Sequence, residues 1–195
     1  IFEMFQLWVN LPSSKKMSKP RYQPILAKDI PQVPLAIVGK SGDDNDVVGN
    51  SDSDVCTSTV EEGYAKIIAG NFRGTEGPAK TFTPIDIWVV SLLTKQKEFE
   101  LEFVEGHTTL LFVQNGSVEI QGKALNLADV AIMDRKGTKL TIRATQKNTS
   151  LLILSGEPID EPIAARGPFV MNTQGELQQA MTDYQRRTHG FSNFE

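Results

Sequence analysis

The chain predicts an all-β protein, a barrel or sandwich of short strands followed by one C-terminal α-helix. Three observations carry this. From Tyr64 onward, short apolar or alternating runs recur at close intervals, separated by Gly, Asn, Asp and Lys. FELEFVE at 99–105 alternates strictly, with Phe99, Leu101 and Phe103 on one side and Glu100 and Glu102 on the other. Thr173-Gln174-Gly175-Glu176 has the spacing of a helix capping box, in which each end residue satisfies the other's backbone N–H.

Phe5–Leu11 reads as a strand with imperfect alternation. Pro12, Pro20, Pro24, Pro31 and Pro34 then punctuate an extended arm that cannot hold a long helix. Residues 39–63 carry seven carboxylates against one lysine, with too little apolar content to offset the entropy of ordering, and predict a linker or loop. Asp43, Asp44 and Asp46 lie there without the glycine and glutamate spacing of a calcium loop. Strands are expected at 64–70, 85–93, 99–105, 109–113, 117–121, 124–127, 130–133, 139–144 and 150–154. Asn115-Gly116 predicts a hairpin, because both residues accept positive φ. Gly70–Gly77 follows a strand but leads into Pro78 and Pro84, so a bulged connection is expected rather than a phosphate cradle. Leu177, Ala180, Met181 and Tyr184 recur at helical spacing and predict one apolar helix face. The domain reading is an arm at 1–38, an acidic linker at 39–63, a barrel at 64–172 and a helix at 173–188.

Composition narrows the function classes. The 195 residues are 39% hydrophobic and 23% charged, with a net charge of −4. A dominant basic surface for nucleic acid is excluded, and no apolar run reaches the roughly 20 residues of a membrane helix. Cys56 is the single cysteine, which makes a reducing interior, cytoplasmic or nuclear, the default compartment. Its acidic neighbours oppose thiolate formation. Ser91 and Ser155 have no base identifiable from sequence. The chain opens at Ile1 directly into a strand-like segment and reads as a fragment of a longer protein.

GEPIDEPIAARGPFVMNT at 156–173, with the helix to Tyr184, resembles the C-terminal signature of the pirin family, in which two cupin-type β-barrels are fused. QLWVNLP at 6–12 and KPRYQ at 19–23 resemble that family's junction between barrels, and Thr81–Pro84 is similar to a family T-x-T-P turn. The acidic stretch at 39–63 departs from the pattern. The resemblance implies a cupin-type barrel or sandwich, a jelly-roll-like double-stranded β-helix, with a C-terminal helix. It also implies a parent protein with quercetin 2,3-dioxygenase-type activity, in which Fe(II) sits in the N-terminal barrel. The other role it implies is a protein-interaction module of an iron-dependent transcriptional coregulator.

The resemblance makes a demand that the residues can be tested against. A metal-binding cupin barrel places an H-x-H pair and a Glu ahead of a Gly, and a later His after a P-x-G turn. Counted back from Gly116, the Glu position falls near Thr109 and the two His positions fall among Phe103, Val104 and Glu105. Arg135-Lys136-Gly137 replaces the P-x-G turn and Leu140 stands at the last His. His107, one of only two histidines with His189, has no H-x-H partner and is expected as a turn residue at a strand entrance. No catalytic, cofactor-binding or metal residue is therefore expected in this chain. Asp160, Glu161 and Arg166 sit in the signature loop, as a buried ion pair that shapes it or as a partner contact. The expected partners are an N-terminal cupin barrel outside this chain, a second copy through Phe5, Leu7 and Trp8, and a protein target. No direct nucleic acid or membrane contact is expected.

Overall fold

In a computed structural model that describes residues 4–38 and 62–186, the inward side chains of two antiparallel sheets meet around Trp88, Phe99, Ile67, Leu111 and Ile153. The strands run in chain order as β1 (Gln32–Pro34), β2 (Gly63–Ala69), β3 (Asn71–Phe72), β4 (Thr75–Glu76), β5 (Ile85–Leu92), β6 (Glu98–Glu102) and β7 (Thr108–Asn115). Then follow β8 (Val118–Ile120), β9 (Lys123–Leu125), β10 (Val130–Ile132), β11 (Lys139–Ala144), β12 (Thr149–Gly156), β13 (Ala164–Arg166), β14 (Phe169–Met171) and the helix α1 (Gln174–Arg186). The chain divides into two compact units, one of residues 25–158 and one of residues 1–24 with 159–195.

The first unit holds both large sheets, a six-stranded sheet ordered β1-β2-β5-β12-β7-β10 and a four-stranded sheet ordered β6-β11-β8-β9. The second sheet follows the expected alternation. Phe99, Leu101, Leu140, Ile142, Val118 and Ile120 are buried, and the opposite face is charged. There Lys139 reaches Glu100 at 2.8 Å and Arg143 reaches Glu119 at 2.8 Å. Solvent screens such pairs strongly, so this face contributes solubility more than stability.

The six-stranded sheet does not alternate. Its inner face carries Trp88, Val90, Ile153 and Leu111. Its outer face is also apolar: Val89, Leu152, Phe112 and Val130 form one cross-strand row, and Ile87, Leu154, Leu110 and Ile132 form the next. An antiparallel sheet apolar on both faces is one that has something to bury on each side. Val130 and Ile132 are 51% and 72% exposed.

Asn115-Gly116 makes a turn but not the predicted hairpin. β7 pairs with β12 and β10, whereas β8 pairs with β11 and β9. The turn carries the chain from one sheet to the other. Gly116 sits at φ 75°, and a Cβ there would lie 2.5 Å from the Thr149 hydroxyl, so glycine is required by both backbone and space. The segment at 70–77 is a small hairpin, β3–β4, rather than only a bulged connection. Arg73 and Gly74 occupy its tip at φ 51° and 81°, which is type I′ geometry. The Arg73 guanidinium lies over the Phe72 ring and donates to the Glu100 carbonyl at 3.2 Å, which fastens the hairpin to the β6 backbone.

In the second unit, Phe5–Leu11 forms no strand, contrary to expectation. β13 and β14, unseen in the Pro- and Gly-rich signature, form a short hairpin on which α1 packs. The capping box forms as predicted: Glu176 N–H donates to Thr173 Oγ1 at 3.2 Å and Thr173 N–H to Glu176 Oε2 at 2.9 Å. The predicted apolar face forms at Leu177, which is buried, and at Ala180 and Met181, which are half-buried; only its last position differs, since Asp183 is buried, with Gln179 donating to it at 2.8 Å. Tyr184 is 58% exposed and meets Phe169 edge-on, ring centroids 5.6 Å apart.

No helix among the described residues is long and apolar enough to cross a membrane. Asp43, Asp44, Asp46, Cys56 and His189 lie outside the described residues.

Candidate functional site: the mouth of the barrel

The turn from β6 to β7 and the turn from β10 to β11 meet at one end of the two sheets. The Gly106 N–H donates to the Arg135 carbonyl at 2.8 Å and the Gly137 N–H to Glu105 Oε1 at 3.2 Å. Between them lies a pocket of about 80 Å³, whose lining includes Phe103, His107, Thr109, Arg135, Lys136 and Leu140. The positions obtained by counting from Gly116 and from the second turn thus converge in space. Phe103, Val104, Thr109 and Leu140 are among the residues that line it, while the Glu105 carboxylate accepts from the Gly137 N–H.

This donor chemistry does not fit the iron site that the cupin fold implies. Such a site takes neutral imidazoles with a carboxylate. Here the corresponding positions hold Phe103, Val104 and Glu105, then Thr109 and Leu140: one carboxylate, which the Gly137 N–H engages, and no imidazole on the pattern. Among the described residues no three His, Cys, Asp or Glu side chains gather closely enough to hold a metal ion.

Behind the mouth, the inner face of the large sheet is polar for one row. Asp86 on β5, Ser155 on β12 and Thr109 on β7 are cross-strand neighbours. Ser155 and Thr109 are almost fully buried and share a hydroxyl–hydroxyl bond of 2.9 Å. Ser155 therefore has a hydroxyl, not a base, as its bonded neighbour, and is not poised as a nucleophile. The Asp86 carboxyl is pushed above its ordinary value by burial; the Asn71 N–H, which donates to it at 3.0 Å, and the nearby His107 pull in the opposite direction. His107 sits at the entrance to β7, as expected, with its Nδ1 buried and without a hydrogen-bond partner. Below this row Trp88 stacks on Phe103 at 5.5 Å and meets Phe72 edge-on at 4.9 Å. The polar row was legible in principle, since Asp86 is in phase with Trp88, Val90 and Leu92 along β5.

In the second unit, Glu161 is not part of a buried ion pair. Asp160 and Arg166 are exposed. Glu161 instead accepts from the Ser13 N–H at 2.7 Å, the Ser13 hydroxyl at 3.0 Å and Asn172 Nδ2 at 2.8 Å. These bonds hold its carboxyl below the usual glutamate range, with the Ser13 amide as the largest cause. Lys16 adds a bond to Asn10 at 2.8 Å and one to the Val170 carbonyl at 3.1 Å. The arm and the signature loop, 148 residues apart in sequence, are one bonded structure.

Two facing antiparallel sheets, joined at a corner and open at a polar-lined mouth, define a cupin-type β-sandwich. Residues 88–190 match the family described as the pirin C-terminal cupin domain. The chain belongs to the pirin family. It is 38% identical to a Pseudomonas aeruginosa protein named "putative quercetin 2,3-dioxygenase", over 94% of this chain and 55% of that protein. It is 29% identical to Pirin-1 of Arabidopsis thaliana, over 95% of this chain and 58% of the relative. Among solved structures it is similar to a quercetin 2,3-dioxygenase from Acinetobacter baumannii, with a TM-score of 0.75 and 36% identity over 94% of this chain and 55% of that one. The chain thus spans little more than half the length of these proteins.

Proposed function

We propose that this chain is the half of a quercetin 2,3-dioxygenase-like pirin protein that carries no metal, and that it serves as the packing partner of a second, iron-bearing cupin half. The observation that carries this reading is the mouth of the barrel, where the positions a metal-binding cupin gives to its donors hold Phe103, Val104 and Glu105, Thr109 and Leu140, with no imidazole among them. The outer face of the six-stranded sheet supports the packing role. Its two apolar rows end in the exposed Val130 and Ile132, whereas the other sheet presents ion pairs outward. A face of this composition favours association over solvation. The exposed Trp8 of the arm adds a second apolar contact point, through which isolated copies would associate.

The test is oxidation of quercetin by the purified chain, in air with added Fe(II), followed by loss of flavonol absorbance. The expected rate equals that of a metal-only control. Turnover above that control would overturn the reading.

A further inference from the structure

We propose that two copies of this chain join edge to edge through β10, antiparallel about a two-fold axis at Ala131. β10 ends the six-stranded sheet. The Val113 N–H donates to the Asp129 carbonyl at 3.0 Å and the Met133 N–H to the Thr109 carbonyl at 2.9 Å. With Val130 opposite Phe112 and Ile132 opposite Leu110, these bonds fix the phase of the ladder. Ala131 turns its backbone groups toward β7; Val130 and Ile132 turn theirs away from it. Among the described residues, no other strand meets those outward groups.

A sheet edge pairs with other chains unless something blocks it. The other edges of the two large sheets are blocked. β1 contains Pro34, and β9 begins at the exposed Lys123. β6 carries Glu98, Glu100 and Glu102, and residues 36–38 cover its edge. There the Val38 N–H donates to the Glu98 carbonyl at 2.9 Å and the Glu100 N–H to the Ala36 carbonyl at 3.4 Å. β10 reads Val-Ala-Ile, with no charge and no proline. Leu127, Val130 and Ile132 are 63%, 51% and 72% exposed.

The order of residues in β10 selects a second copy as the occupant. In a two-fold pairing about Ala131, Val130 lies opposite the partner's Ile132, and Ile132 opposite the partner's Val130. The outward N–H and C=O groups of these residues close the hydrogen bonds of both pairs. Their side chains fall on one face and cover each other. The flanking charges do not oppose like charges: Asp129 falls opposite the partner's Met133, and Asp134 opposite the partner's Ala128. The contact is short, so the dimer is weak and depends on concentration. It uses the edge of the sheet and is independent of whether a second cupin half packs on the outer face.

The experiment follows amide hydrogen exchange of the full chain by NMR at low and high protein concentration, with the mass in solution read by light scattering. At high concentration the mass is expected to approach that of two chains, with the Val130 and Ile132 amides exchanging about tenfold more slowly. The Met133 amide, bonded to Thr109, is expected to exchange alike at both concentrations. Val130→Pro removes one outward N–H and no bond of the ladder to β7, and is expected to weaken dimerisation about tenfold. Trp8→Ala is expected to keep the two amides protected as in the parent. Circular dichroism checks the fold, and Ile132→Lys, a charge on the edge, is read if Val130→Pro loses it. A monomer at both concentrations would overturn the proposal, as would association that leaves the Val130 and Ile132 amides unprotected. Dimerisation undiminished in the edge variant, or protection lost in Trp8→Ala, would overturn it as well.

Discussion

A carboxyl group on the inner face of a sheet opposes folding when it is charged, and Asp86 is such a group. Its folded-state pKa lies above the ordinary value of 3.8, chiefly through burial. The folded state thus holds this proton more tightly than the unfolded chain does. Its contribution to stability is greatest at acid pH and is lost as pH rises through the raised value. Asp86→Asn keeps an oxygen for the Asn71 N–H and removes the charge. It is expected to raise the Tm at pH 7 and to change it little at pH 3; a lower Tm at pH 7 would contradict the account. Glu161 has the opposite sign. Its pKa lies below 4.5, so the arm–loop bonds contribute above that value and are lost as pH falls through the depressed one. Glu161→Gln should lower the Tm at pH 7, with the loss shrinking toward pH 3, measured in the same scans. Gly70 belongs to this scale too. At φ 77°, a Cβ there would lie 2.7 Å from the Ile85 carbonyl, so Gly70→Ala is expected to destabilise clearly in a urea melt.

At the scale of elements, local chemistry and tertiary pairing separate. The capping box of α1 is local, and its two reciprocal bonds follow from Thr173 and Glu176 alone. Thr173→Ala is expected to cost about 1 kcal/mol in chemical denaturation. The strand at 139–144 was legible to the residue for the same reason: its alternation is carried by the side chains themselves. The Asn115-Gly116 turn was legible only as a turn. Its backbone needs positive φ whether the next strand folds back or crosses to the facing sheet, and only the distant partners β12 and β11 decide between them. β13–β14 is not legible in the sequence because Ala164–Met171 has neither alternation nor β-branched density, and the pairing is set by the turn at Gly167. In α1 the helical period and the inward Leu177, Ala180 and Met181 were legible, and only the last turn departs. Asp183 can be inside because Gln179 one turn earlier bonds it, while Tyr184 leans outward onto Phe169.

Over the whole molecule, the two strongest sequence signatures mark structure rather than chemistry. Gln6–Pro12 leads into the segment that Glu161 binds, so the arm and the C-terminal loop were recognisable separately but their bond was not. The barrel-mouth positions were legible because cupin ligands sit at fixed distances from turn glycines, and counting along the chain placed Phe103, Thr109 and Leu140 where the pocket has them. The polar row of Asp86, Ser155 and Thr109 was not assembled in sequence, because it joins three strands that are adjacent only in the sheet. The apolar outer face argues for a packing partner. Val130→Lys with Ile132→Lys is expected to abolish association with an iron-bearing cupin half in a mixing experiment, while leaving the Tm of this chain within a few degrees. The central claim, that this half holds no iron of its own, is tested most directly by metal analysis. The purified chain is incubated with Fe(II) under anaerobic conditions, desalted and assayed for iron per polypeptide. The account predicts far less than one iron per chain; close to one, retained through desalting, would contradict it.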